Sequence, residues 1–129
     1  MNFNNALKLT GYDLTQTTSS NQPAKQPTNQ LTLYWESLAP INEDYVVFVH
    51  LLDAAGNVIS QADAPPTNNA YPTSWWATGE LIADSHTLPA AAGAVAIRFG
   101  LYELNTGQRL PIIESSFPSQ DNGVEVALP

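Results

Sequence analysis

Apolar and polar residues alternate with a period of two along much of this chain, and Gly or Pro breaks the runs at short intervals. That period places successive side chains on opposite faces of a pleated strand. The first strand is predicted over Ala6 to Leu14, where Leu7 and Leu9 alternate with Lys8 and Thr10. Leu31 to Glu36 follows, with Leu31, Leu33 and Trp35 on one face and Thr32, Tyr34 and Glu36 on the other. Asp44 to Leu52 is apolar on both faces, the mark of a central strand covered on two sides. Asp53-Ala54-Ala55-Gly56 supplies a hairpin turn, and Val58 to Asp63 returns from it. Glu80 to Leu88 and Gly93 to Glu103 are the next strands, the latter with Val95, Ile97, Phe99 and Leu101 on one face. Asn105-Thr106-Gly107 turns the chain into Gln108 to Ile113, and Gly123 to Leu128 ends it. No stretch keeps helical spacing over three turns. About eight short strands with frequent turn signals predict an all-β fold, a two-sheet antiparallel sandwich of jelly-roll-like form.

Two long connections stand apart. Residues 15 to 30 hold one apolar residue, Ala24, and are expected to form a mobile loop outside the core. Residues 64 to 79 carry Tyr71, Trp75 and Trp76. Adjacent side chains in an extended segment point to opposite sides, so one Trp is expected to plug the end of the sandwich and the other to face solvent.

Composition narrows the function classes. A chain of 129 residues is one domain by size and can bury a core without cross-links. It has no Cys, which removes disulfides, thiolate catalysis and Cys-based zinc sites, and its two His cannot build a His-rich metal centre. Four Lys and Arg against twelve Asp and Glu give a net charge of −8. Such a surface repels nucleic acid and anionic membranes. No apolar run approaches the ~20 residues of a spanning helix, and the start of the chain lacks the pattern of a signal peptide. Charged residues make up only 12%, so solubility falls to Asn, Gln, Ser and Thr, as on many domains outside the cytoplasm.

The face pattern gathers candidate ligand groups. With Leu33, Val47, Val49 and Ile97 inward, Tyr34, Phe48, His50, Arg98 and Tyr102 point out and are expected to line one sheet face. Aromatic planes beside planar donors suit a sugar, whose apolar face stacks while its hydroxyls take hydrogen bonds. Tyr34, His50, Tyr71, Trp76, Arg98 and Tyr102 are therefore the ligand-binding candidates; in the alternative, loops cover the face and these residues form a second small core. Asp53, Asp63 and Asp84 stand near strand ends, where carboxylates can hold calcium or simply cap their own turns. Asp63 and Asp84 are also the pair a carboxylate-dependent hydrolase would use, but no nucleophile elbow accompanies them. Glu103 and Arg109 are expected to face each other as an ion pair across a three-residue loop.

Four segments in order, LTLYWESL, DYVVFVHLLDAAGNVISQAD, YPTSWWATGELIAD and FGLYELNTGQRLP, resemble the carboxy-terminal β-sandwich module of bacterial membrane glycosyltransferases of the protein-mannosyltransferase type. The likeness runs from Leu31 to about Pro111, and departs from the pattern at Pro27-Thr28-Asn29 and Asn69-Ala70. It implies that the chain is a piece from the end of a longer membrane protein, lying in the cell envelope outside the cytoplasm. The helical membrane part, and with it the transfer reaction, would lie elsewhere in that protein. The implied function is a non-catalytic accessory domain that contacts a glycan or glycosylated acceptor, with the parent enzyme as partner in cis. The alternatives are a spacer or protein-docking module of the envelope without a ligand and, third, the carboxylate hydrolase. No catalytic residue and no cofactor is implied, calcium excepted.

Overall fold

The alternating segments pair into two five-stranded antiparallel sheets in a computed structural model that describes residues 1–17, 28–89, 91–114 and 119–128. The strands are β1 (Asn2–Phe3), β2 (Leu7–Thr17), β3 (Thr28–Ser37), β4 (Tyr45–Leu52), β5 (Val58–Gln61), β6 (Leu81–Leu88), β7 (Ala96–Glu103), β8 (Ile112–Glu114), β9 (Ser119–Gln120) and β10 (Gly123–Ala127). The first sheet has the order β6-β3-β2-β1-β8 and the second β5-β4-β7-β10-β9. The chain changes sheet after β3, β5, β6, β7 and β8, the wrapping of a jelly-roll-like sandwich. The two strands beyond the predicted set, β1 and β9, have two residues each. Both lead into turns whose central residues take positive φ, Asn4 and Asn5 in one and Asp121 and Asn122 in the other. Asn and Asp tolerate that conformation better than other side-chain-bearing residues.

The inner faces meet as the alternation requires. Leu31, Leu33 and Trp35 of β3 pack against Val47, Val49 and Leu51 of β4 and Ile97, Phe99 and Leu101 of β7 in one buried cluster. Each such side chain contributes roughly 1.5–3 kcal/mol by leaving water. Strand β2 keeps its contacts across a bulge. Leu9 pairs with Trp35 but Gly11 with Tyr34, so Thr10 is the extra residue. The inward positions then shift from Leu7 and Leu9 to Tyr12 and Leu14, and Tyr12 leans on Phe99 with ring centroids 6.4 Å apart.

Several expectations need correction. The 15–30 segment is not a loop throughout. Residues Thr15 to Thr17 and Thr28 to Gln30 pair as strand, and only 18–27 lie outside the described residues. Strand β7 begins at Ala96, which leaves Val95 exposed instead of in the core. The return after Gly107 is split. Arg109 bridges Tyr102 in the second sheet, whereas Ile112 pairs with Phe3 in the first. Pro111, which cannot donate to a ladder, stands between these two pairings. The loop is four residues long, Glu103 N–H donates to the Gln108 carbonyl, and Arg109 is displaced from Glu103 by one position. The expected Glu103–Arg109 pair does not form; the Glu103 carboxylate accepts from the Thr106 hydroxyl.

Candidate binding surface

The outer face of the second sheet is built by register. His50 on β4 stands opposite Arg98 on β7 and Gln61 on β5, and Arg98 stands opposite Glu125 on β10. One row across four strands thus reads Gln61, His50, Arg98, Glu125, with an Arg98–Glu125 ion pair at 3.2 Å. In the next row Phe48 faces Gly100, and in the row after that Val46 faces Tyr102, whose other neighbour is Arg109.

Phe48 is the floor of this face. Its ring is 1% exposed although it points away from the main core. Gly100 makes the room. A Cβ at that position would lie 2.5 Å from Phe48 Cε2 and 2.7 Å from the Asn122 carbonyl oxygen. The Arg109 guanidinium covers the ring at 4.1 Å from its centroid and donates from Nη1 to the Asp121 carbonyl at 2.8 Å. A cation over a ring face is held by the ring quadrupole. His50 closes the other side, its ring centroid 5.2 Å from that of Phe48. Both arginines of the chain therefore belong to one face of a molecule whose net charge is −8.

His50, Arg98 and Tyr102 remain half-buried there, with exposed Asp63 at the margin. Burial lowers the His50 pKa from the ordinary 6.5, the Asp63 charge opposes this, and Arg109 and Arg98 add to it. Burial and the Asp63 charge both raise the Tyr102 hydroxyl. The face thus offers a largely neutral imidazole, a phenol that keeps its proton, and two fixed guanidiniums.

The six ligand candidates do not form one group. Tyr34 lies on the outer face of the first sheet, where its hydroxyl donates to Asp13 at 2.6 Å; the hydrogen bond raises its pKa. The expectation that it shares a face with His50 and Arg98 fails because β3 and β4 belong to different sheets. Tyr71 and Trp76 are at the end of the sandwich. Trp76 is 4% exposed, joins the core, and donates its indole N–H to the Tyr71 carbonyl at 2.8 Å, so it is the plug and not a ligand contact. Trp75, beside it, is 66% exposed. Tyr71 is half-buried, with its hydroxyl on Glu80 at 2.6 Å; that bond raises the phenol pKa and lowers that of the carboxyl.

The three calcium candidates are dispersed. Asp53 caps its own hairpin, accepting from the Ala55 and Asn57 backbone N–H groups at 2.9 and 2.8 Å, and these bonds hold its pKa down. Asp63 takes the place of a ladder carbonyl, accepting from Val49 N–H at 3.2 Å. Asp84 is 0% exposed and points inward from β6. Among the described residues, no three His, Asp or Glu side chains converge as a metal site. Nor do Asp63 and Asp84 face each other across an open cleft, since Asp84 is sealed from solvent.

Asp84 has a different office. Its Oδ2 accepts from the Trp35 indole N–H at 3.3 Å and lies 2.6 Å from His86 Nε2, and its Oδ1 accepts from Thr67 N–H at 2.7 Å. A buried carboxylate is tolerated when donors surround it in this way. The Thr67 bond secures a left-handed turn in which Thr67, Asn68 and Asn69 have φ of 55°, 53° and 66°. That conformation costs roughly 1–2 kcal/mol per residue with a side chain, most for a β-branched one such as Thr67. His86 escaped the sequence reading, as did the role of Arg109. The alternation of β6 holds the signal for His86, since Ile82, Asp84, His86 and Leu88 share one face. Comparison with protein-family models, curated proteins and solved structures finds no match to the chain.

Proposed function

We propose that this chain is a non-catalytic accessory domain of a membrane-bound glycosyltransferase, standing outside the cytoplasm, that binds glycan weakly through the outer face of its second sheet. The observation that carries the reading is the grouping of Tyr102, His50 and Arg98 around the Phe48–Arg109 stack, half-open to solvent. A phenol, an imidazole and guanidinium N–H groups supply the donors and acceptors a sugar hydroxyl array needs, and Asp63 and Glu125 add acceptors at the margins. The ordered likeness of residues 31 to 111 to the glycosyltransferase module supports the parent enzyme and the envelope location. The acidic surface favours a neutral glycan over nucleic acid.

The test is a glycan array followed by isothermal titration of its best neutral oligosaccharide. Tyr102→Ala and His50→Ala should each weaken binding about tenfold, the effect of losing roughly 1.4 kcal/mol of contact. A protein that binds no array member, or variants that bind as well as the parent, would end the reading. Exposed Trp75 favours a second reading, a docking module without a ligand. In that case Trp75→Ala would abolish capture of the parent enzyme's membrane part, and sugars would have no effect.

A further inference from the structure

A cleft of about 370 Å³ opens on the edge of the sandwich between β6 and the segment that follows β5. Asp63 and Asn68 line one side and Ser85, His86 and Thr87 the other. His86 is buried, but its ring forms part of the wall. Its Nε2 is held by Asp84 at 2.6 Å, from inside the core. The other acceptor bonds of that carboxylate come from donors with no second role, the Thr67 backbone and the Trp35 indole. A carboxylate accepts only, so Nε2 carries a hydrogen, and in the neutral imidazole Nδ1 then keeps a lone pair. Among the described residues Nδ1 has no partner, and it is not one of the sealed polar atoms. The left-handed turn at Thr67, Asn68 and Asn69, fastened by the same carboxylate, sets Asn68 on the opposite wall. One buried group thus fixes both sides of the cleft.

The lining side chains are an imidazole, a carboxylate and an amide, with no Lys or Arg; the Ser85 and Thr87 hydroxyls bond Thr32 and Gln30 on the other face of β6. That set repels phosphates and carboxylates and suits an uncharged ligand rich in hydroxyls. Asp63 joins the cleft to the outer face of the second sheet, because its charge acts on both His50 and Tyr102. We infer that the edge cleft is a saccharide subsite, in which His86 Nδ1 accepts a hydroxyl hydrogen while Asp63 and Asn68 hold neighbouring hydroxyls. The ligand is then an oligosaccharide that passes from the sheet face around the edge of the sandwich. This rests on the glycan-binding reading above and extends it by a second contact region.

The chain's two histidines, His50 and His86, report the two regions separately. Imidazole NMR signals, assigned with His50→Gln, are followed while cellotetraose or mannotetraose is added at millimolar concentration. Both histidine signals should move with one tetrasaccharide. Long-range proton–nitrogen correlations of the free protein should place the His86 proton on Nε2. Asn68→Gly should weaken tetrasaccharide binding about fivefold, the loss of roughly one hydrogen bond, and glycine suits the φ of 53° there, so the fold is kept. Movement of His50 alone, a protonated Nδ1, or full affinity in Asn68→Gly would overturn the subsite and leave the sheet-face reading standing. If neither histidine responds to either sugar, both fall.

Discussion

Replacing Gly100 by Ala tests whether the outer face of the second sheet is built as described. The added methyl would sit 2.5 and 2.7 Å from two atoms of the Phe48 ring and 2.7 Å from the Asn122 carbonyl oxygen. Side chains and backbone essentially never approach a Cβ that closely. Phe48 cannot swing out freely, because Arg109 lies over it and His50 beside it. Overpacking of this kind costs about 1–3 kcal/mol. Against it stands about 0.4–1 kcal/mol gained by restricting the unfolded chain. The net loss is roughly 1–2 kcal/mol. With an unfolding entropy of about 0.27 kcal/mol per kelvin for 129 residues, thermal unfolding followed by circular dichroism should shift down by about 4–7 °C. A double-mutant cycle sharpens the test. Phe48→Leu removes the two ring atoms nearest the new methyl, so Gly100→Ala should cost at least about 0.5 kcal/mol less in that background. A Gly100→Ala protein that melts at or above the parent temperature would refute the packing and, with it, the floor of the proposed site.

Three further outcomes follow from the same contacts. Asp84→Asn turns one acceptor oxygen into a donor amide that must face either the Thr67 N–H or the Trp35 indole and His86, and should lower stability in urea by about 1–3 kcal/mol; an unchanged midpoint would show that these bonds contribute nothing. His50 has a folded pKa below its unfolded value of 6.5, so folding disfavours its protonation. Its penalty is absent well above 6.5 and grows as pH falls through that value towards the folded pKa. His50→Gln should therefore gain on the parent protein as pH falls from 7 into that window, and parallel stability curves would contradict the burial described. Acrylamide should quench exposed Trp75 and spare Trp76; Trp75→Phe should remove the accessible emission with a stability change within about 0.5 kcal/mol, whereas Trp76→Ala should cost about 3–5 kcal/mol.

How far the sequence could be read depended on whether alternation was unbroken. Leu31, Leu33 and Trp35 each stand between polar residues, which marks them as inward, and all three are buried. The central strand was legible in kind from its Val-rich, two-sided pattern, and the pairing of its outward Phe48 with Gly100 explains why that second face is apolar too. Gly56 and Gly107 marked their turns through positive φ. Failures came where one residue is gained or lost. The bulge at Thr10 moves the inward set of β2, and the fourth residue of the loop before Gln108 shifts Arg109 from Glu103 to Tyr102. Alternation within a strand says nothing of which sheet the strand joins, so the face pattern alone sets Tyr34 beside His50. The Asp84–His86 pair stayed hidden because polar residues on the inner face of an edge strand contradict the pattern that identifies the face. Their burial becomes intelligible only once Thr67, distant in sequence, supplies a donor.

The most direct trial of the functional account is a map of backbone amide shifts over the whole chain during titration with neutral tetrasaccharides. The largest changes should fall at His50, Arg98 and Tyr102 on the outer face of the second sheet. Silence at millimolar sugar, or changes centred on Trp75 at the end of the sandwich, would contradict it.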